Sequence, residues 1–144
     1  MIYGVTIKNK VIMIKKKRIE QKILINASPH EIYEIFMDSK KHSKLTESKT
    51  IISRKVGGNF SVWEGAISGK NVELIEDKKI VQTWKSDGEE WKKNPYSTIT
   101  LIFEPKDKGT EINFTHEEIP ESAFENVKDG WNTYYWEPLK ELFE

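Results

Sequence analysis

Between residues 18 and 27, RIEQKILINA, side chains alternate along the chain: Ile19, Gln21, Ile23 and Ile25 fall on one face, and Glu20, Lys22 and Leu24 on the other. A period of two predicts a strand with one buried face. The period then changes. In SPHEIYEIFMDS, Ile32, Ile35 and Phe36 recur at helical spacing behind Ser28, Pro29 and Glu31. Ser28 suits a helix cap, Pro29 the first helical position, and Glu31 the far side of a capping box. The polar stretch KKHSKLTES is expected to hold a short second helix or a loop.

From residue 50 to 117 alternation returns, and strands are predicted near 50–56, 59–67, 70–75, 79–86, 96–105 and 110–117. Gly57–Gly58, Ser68–Gly69, Glu76–Asp77–Lys78, Asp87–Gly88 and Lys106–Asp107–Lys108–Gly109 separate them as turn-forming clusters. Connections this short predict an antiparallel meander. Over residues 121 to 143, Trp131, Tyr135, Leu139 and Leu142 form one helical stripe. Pro138 removes a backbone donor within it, which predicts a bend or local break near Tyr134.

The order defines an α+β fold: a curved antiparallel sheet of about six or seven strands wrapped around a long C-terminal helix, with one or two short helices after the first strand. Residues 18–144 are expected to form this single domain, and residues 1–17 an N-terminal extension or extra strand. Met13 offers an alternative start, which would place the first twelve residues outside the native chain.

The stretch GGNFSVWEGAISGKNVEL, residues 57 to 74, carries four glycines within strand-forming sequence. Gly57 and Gly58 suit a turn, Gly65 a bulge or bend, and Gly69 the turn into the next strand, together a strongly bent hairpin. Alternation sets Phe60, Val62, Glu64 and Ala66 against Ser61, Trp63, Gly65 and Ile67.

Charge and composition narrow the function. Twenty-three basic and 23 acidic side chains cancel, leaving no global attraction to nucleic acid or an anionic membrane. The absence of cysteine excludes disulfides and thiol nucleophiles and fits a cytoplasmic location. No run approaches the ~18 apolar residues of a membrane span. There is no GxSxG elbow and no phosphate-binding loop, and the three histidines are not at metal-ligand spacing, so neither cofactor nor metal is expected. The basic run Lys15–Lys16–Lys17–Arg18 reads as a solvated strand edge.

Three segments, GGNFSVWEGAISGKNVELIEDKKIVQTWK, PYSTITLIFEPKDKGTEINFTHEEIP and GWNTYYWEPLKELF, resemble in order the family named for the activator of heat-shock-protein-90 ATPase, in its C-terminal domain. The resemblance spans about residues 19 to 143. It implies membership of the helix-grip superfamily, with the START lipid-transfer domains and Bet v 1-like allergens, and a hydrophobic cavity between a seven-stranded sheet and the C-terminal helix. It also implies a chaperone partner. The eukaryotic co-chaperone uses an additional N-terminal domain for much of that contact. About 18 residues precede the first matched strand here, so that domain is not expected in this chain.

The residues expected to line the cavity are Phe36, Phe60, Trp63, Ile99, Leu101, Phe103, Ile112, Phe114, His116, Trp131 and Tyr135. His30 and His42 are expected to be solvated. His116, on the inward face of the last strand, reads either as a rim histidine satisfied by a hydrogen bond or as a ligand contact. An inward Glu64 beside it would make an acid–base pair; an outward, solvated Glu64 is the plainer reading. Trp84 is assigned to structure, and Trp91, in a charged loop, to the core or to a lid or contact point. The leading functional expectation is a non-catalytic protein holding a small hydrophobic or amphipathic molecule. The alternatives are a stress-related co-chaperone or interaction module, using an exposed Trp91 or the convex sheet face, and a small cavity enzyme.

Overall fold

A computed structural model describes residues 2–7, 10–93 and 96–144, with side chains from residue 15 onward. Residues 1, 8 and 9 of the expected leading strand, and 94 and 95 of the Trp91 loop, lie outside the described residues. Strands β1 (Ile2–Ile7) and β2 (Lys10–Ile25) lead into helices α1 (Pro29–Met37) and α2 (Ser39–Thr46). Six strands follow: β3 (Thr50–Ile52), β4 (Asn59–Val62), β5 (Ile67–Ile75), β6 (Lys79–Ser86), β7 (Ser97–Lys106) and β8 (Gly109–Pro120). All neighbours pair antiparallel in one sheet of order β1-β2-β8-β7-β6-β5-β4-β3. The C-terminal rod comprises α3 (Phe124–Trp131), a π-helical segment Asn132–Trp136 and α4 (Glu137–Leu142).

The local signals act as chemistry requires. Ser28 Oγ accepts from the Glu31 amide at 3.1 Å, and the Glu31 carboxylate accepts from the Ser28 amide at 2.9 Å, with Pro29 opening α1. Asp38 caps α2 by accepting from the Lys41 amide at 2.9 Å. In the rod, Pro138 has no N–H to offer the carbonyl of Tyr134, and the preceding turn widens: Glu137 donates to the carbonyl of Asn132, five residues back. The break falls where the proline predicts it.

The curl of the sheet follows from which strands reach the rod. Gln21 of β2 accepts from Trp136 Nε1 at 3.0 Å. At the other end of the sheet Trp63, just past β4, packs edge-on against Tyr134 with ring centres 5.0 Å apart. Five strand spacings separate β2 from β4, about 24 Å on a flat sheet at ~4.8 Å each. A helix only ~10–12 Å across meets both because the sheet bends around it. The buried faces of α1, the sheet and the rod share one core that includes Ile32, Phe36, Leu101, Ile112, Phe114, Trp136 and Leu139.

Several expectations change. The expected antiparallel sheet is formed by the seven strands β2 to β8, with β1 added at its end, and β2 runs from Lys10 to Ile25 with a register shift between Lys17 and Ile19. β1 pairs with β2 only as far as Lys15, so within the basic run Lys16 and Lys17 pair with β8 alone. Arg18 pairs with Glu20 and Glu117, and Lys16 is buried, which lowers its pKa by desolvation.

The hairpin turn is also relocated. It occupies residues 63–66, with φ of 50° at Trp63, 54° at Glu64 and 97° at Gly65. Ser68 and Gly69 lie inside β5. Gly69 is needed for approach and not for turning: a Cβ there would sit 1.9 Å from the Thr83 carbonyl oxygen. Alternation cannot distinguish a glycine that turns from one that lets two backbones meet.

Candidate functional site: an aromatic cavity beneath the C-terminal helix

Two histidines fasten the rod, and their hydrogen bonds fix their tautomers. The indole N–H of Trp131 donates to His116 Nδ1 at 3.0 Å, so the proton of the neutral ring sits on Nε2. That nitrogen lies 2.7 Å from Ser97 Oγ, which itself donates to the Trp84 carbonyl at 2.7 Å. The chain of donors runs Trp131, His116, Ser97, Trp84 carbonyl. His116 thus gives a proton to Ser97 instead of withdrawing one, the reverse of a nucleophilic serine–histidine pair. Burial pushes the His116 pKa down to about 3.

His42 performs the corresponding task from α2. Its Nδ1 lies 3.1 Å from the Phe36 carbonyl, which can only accept, so Nδ1 donates and Nε2 accepts from the Tyr135 hydroxyl at 2.7 Å. Burial lowers the His42 pKa to about 4 and raises that of Tyr135. The expectation of a solvated His42 is therefore wrong: the residue is 6% exposed. Its polar neighbours in sequence concealed it, because the buried positions of α2, His42 and Thr46, are themselves polar and give no apolar stripe to read. His30 stays exposed and pairs with Asp77 at 2.9 Å.

Above these anchors lies a cavity of about 280 Å³. Its floor and walls are Trp84 and Ser86 of β6, Trp91 and Glu90 of the short turn Glu89–Trp91, and Val127, Gly130, Trp131 and Tyr135 of the rod. Trp63, Ala66 and Ile67 border it from the hairpin, and Tyr134, nearly half exposed, stands with Trp63 toward solvent. Rings touch around the wall: Trp84 to Trp91 at 5.4 Å, Trp84 to Trp131 at 6.2 Å and Trp131 to Tyr135 at 4.6 Å between centres. Gly130 contributes open space, with nothing within 4 Å of where a Cβ would stand.

Of the residues expected to line a cavity, Trp63, Trp131 and Tyr135 border this one. Phe36, Phe60, Ile99, Leu101, Phe103, Ile112, Phe114 and His116 are instead closely packed in the core and do not border it. The inward face of a strand is not by itself a cavity face, since α1 and the rod fill most of the cup. Trp84 and Tyr134 border the cavity without having been assigned to it, and Trp91, expected in the core or as a lid or contact point, borders it too. Trp91 is 1% exposed, which corrects its reading as an exposed contact point. Glu64 sits exposed in the 63–66 turn, so no Glu64–His116 pair forms. No group of three or more His, Asp or Glu side chains among the described residues converges as a metal site would, and no described helix is long and apolar enough to cross a membrane.

Sheet, rod and intervening cavity define a helix-grip domain. The sequence profile of the family described as "Activator of Hsp90 ATPase homolog 1-like protein" matches residues 26–144, and the chain belongs to that family. It is 31% identical over 116 residues to the human activator of 90 kDa heat shock protein ATPase homolog 1, covering 81% of this chain and 34% of the human one. It is likewise 31% identical over 128 residues to the Dictyostelium discoideum activator homolog, covering 88% and 33%. The chain thus spans about a third of the length of these relatives. A crystal structure of an HSP90 activator from Plasmodium falciparum superposes with a TM-score of 0.80 at 28% identity, over 87% of this chain and 94% of that one. The Aha1 dimer from Colwellia psychrerythraea shares the fold, with a TM-score of 0.74 at 22% identity over 89% and 96%.

Proposed function

We propose that this domain binds a small apolar or amphipathic molecule in the cavity between β6, the 63–66 turn and the C-terminal rod, without transforming it. The observation that carries the reading is the wall itself: four tryptophans and two tyrosines, Trp63, Trp84, Trp91, Trp131, Tyr134 and Tyr135, border a cleft of about 280 Å³ beside the packed core. Aromatic walls with a few polar groups are the usual composition of ligand pockets. The bound molecule would stand on ring faces, with Ser86, Glu90 and Asn126 as the nearby polar groups. Against catalysis, the buried histidine nearest the cavity donates to Ser97 and accepts from Trp131, which leaves neither ring nitrogen for a reacting atom.

A thermal-shift panel of hydrophobic dyes, lipids and small aromatic compounds tests this. At least one should raise the melting temperature saturably, since a ligand at a hundred times its Kd stabilises by about 2.7 kcal/mol. Gly130→Leu, which fills open space beside Trp131, should abolish that shift while the variant remains folded. Equal binding by the wild type and the filled variant would overturn the cavity as the site.

A second reading is favoured by the relatives: the human, Dictyostelium and Plasmodium proteins are each named as activators of an HSP90-type chaperone. On this reading the domain docks on such a chaperone and alters its ATPase cycle. Addition of the purified chain to an HSP90-type chaperone from the same source should raise its ATP turnover. No change in turnover and no binding by calorimetry would remove this reading and leave the first in place.

A further inference from the structure

The charge pattern at the cavity points to a class of ligand, and this step rests on the cavity reading above. Among the described residues no lysine, arginine or histidine borders the cavity, and the one formally charged neighbour is Glu90. Among the described residues Glu90 forms neither an ion pair nor a hydrogen bond, whereas its neighbour Glu89 is paired with Lys92 at 2.7 Å. The Glu90 carboxylate folds back toward Gly88, its oxygens 3.0 and 3.1 Å from where a Cβ on that glycine would lie. It stands half-buried at the rim as the sequence neighbour of Trp91, whose indole is wedged against Trp84.

Two of the wall's polar tips are already engaged: Trp131 Nε1 donates to His116, and the Tyr135 hydroxyl donates to His42. What those residues can offer a ligand is the negative face of the ring. An aromatic enclosure with one carboxylate at its edge is the combination that attracts an organic cation, through the ring quadrupoles and a single counter-ion. A carboxylate or phosphate entering the cavity would meet Glu90 on a wall that carries no base, since Lys15 and Lys93 stand with Glu90 on the neighbouring surface pocket and not on this one.

We propose that the cavity selects a small organic cation, an aryl- or alkylammonium whose apolar body stacks on Trp84 and Trp131 and whose charged head lies toward Glu90. The hairpin residue Trp63 borders the same cavity, and Glu64 follows it in the turn, exposed and outside the lining. Both hold left-handed backbone, at φ of 50° and 54°, a conformation costly for residues with side chains and common where a segment must position or move a group.

The test uses a matched pair of probes: benzyltrimethylammonium and neopentylbenzene, which have the same shape and differ in the charged nitrogen. Calorimetry on the full chain, with the tryptophan indole signals followed by NMR, reads affinity and place together. The expected result is about tenfold or tighter binding of the cation, with shifts at Trp84, Trp91 and Trp131, and loss of that preference in Glu90→Gln. If the neutral isostere binds as well as the cation, the cavity reading survives and the charge selection is overturned. If neither probe moves an indole signal, both are overturned. A cation preference that persists in Glu90→Gln would overturn the role given to the carboxylate.

Discussion

The hydroxyl of Tyr135 donates to Nε2 of His42 across 2.7 Å, and one helical turn earlier Trp131 donates to Nδ1 of His116 across 3.0 Å. Residues four apart on a helix share a face, so one face of the rod is fastened to α2 through one histidine and to β8 through the other. These polar bonds sit within an aromatic core and require both imidazoles to be neutral. They fix the height of the rod over the sheet, and hence the cavity beside it.

Acid should therefore loosen the domain. The folded-state pKa values of His42 and His116 are lowered to about 4 and about 3 by burial, against about 6.5 in an unfolded chain. Below pH ~6.5 the unfolded chain binds more protons, so the stabilisation is complete above that value and is lost as the pH falls toward those of the folded state. His30 has the opposite sign, its pKa being raised by the hydrogen bond to Asp77, but it is exposed and the pair is screened. Urea midpoints should fall steadily from about pH 6.5 to about pH 4. In an NMR titration the His30 ring should protonate above its ordinary value because of Asp77, while His42 and His116 stay neutral until the protein unfolds.

Tyr135→Phe should cost about 1–3 kcal/mol, because it leaves His42 Nε2 buried without a donor while removing a single oxygen atom. Chemical denaturation measures the loss. A change below a few tenths of a kcal/mol would show that water satisfies His42 in place of the phenol.

The glycines of the hairpin should separate by role. Gly69→Ala should destabilise by about 3 kcal/mol or more, since its Cβ would meet the Thr83 carbonyl at 1.9 Å and strands β5 and β6 would have to part. Gly65→Ala meets only its backbone angle of 97°, with open space around the new methyl, and should cost about 1 kcal/mol. Glu64→Gly, which relaxes a left-handed residue, should be neutral or stabilising by up to about 1 kcal/mol.

Much of this architecture was legible in the sequence, because period-two and helical patterns report which face is buried. The α1 capping box, the antiparallel order and the break before Pro138 all rest on chemistry contained within a few residues. The cavity was less legible. Trp84 and Trp91 border it because the Glu89–Trp91 turn folds the second indole against the first, a contact no spacing encodes. His42 was misread because burial of a polar helix depends on what crosses it, here Tyr135, 93 residues away in the chain. Phe103 and Ile112 alternate as cavity-lining residues would, yet they face each other across paired strands under α1 and are packed.

The most direct test follows the indole N–H signals of the five tryptophans as a binding compound from the panel is added. Trp63, Trp84, Trp91 and Trp131 border the cavity, whereas Trp136 is buried beyond it with its N–H on Gln21 and serves as the internal control. The account requires saturable shifts of the four with Trp136 unmoved, all lost in Gly130→Leu. Shifts confined to Trp136, or binding that leaves all five unchanged, would contradict it.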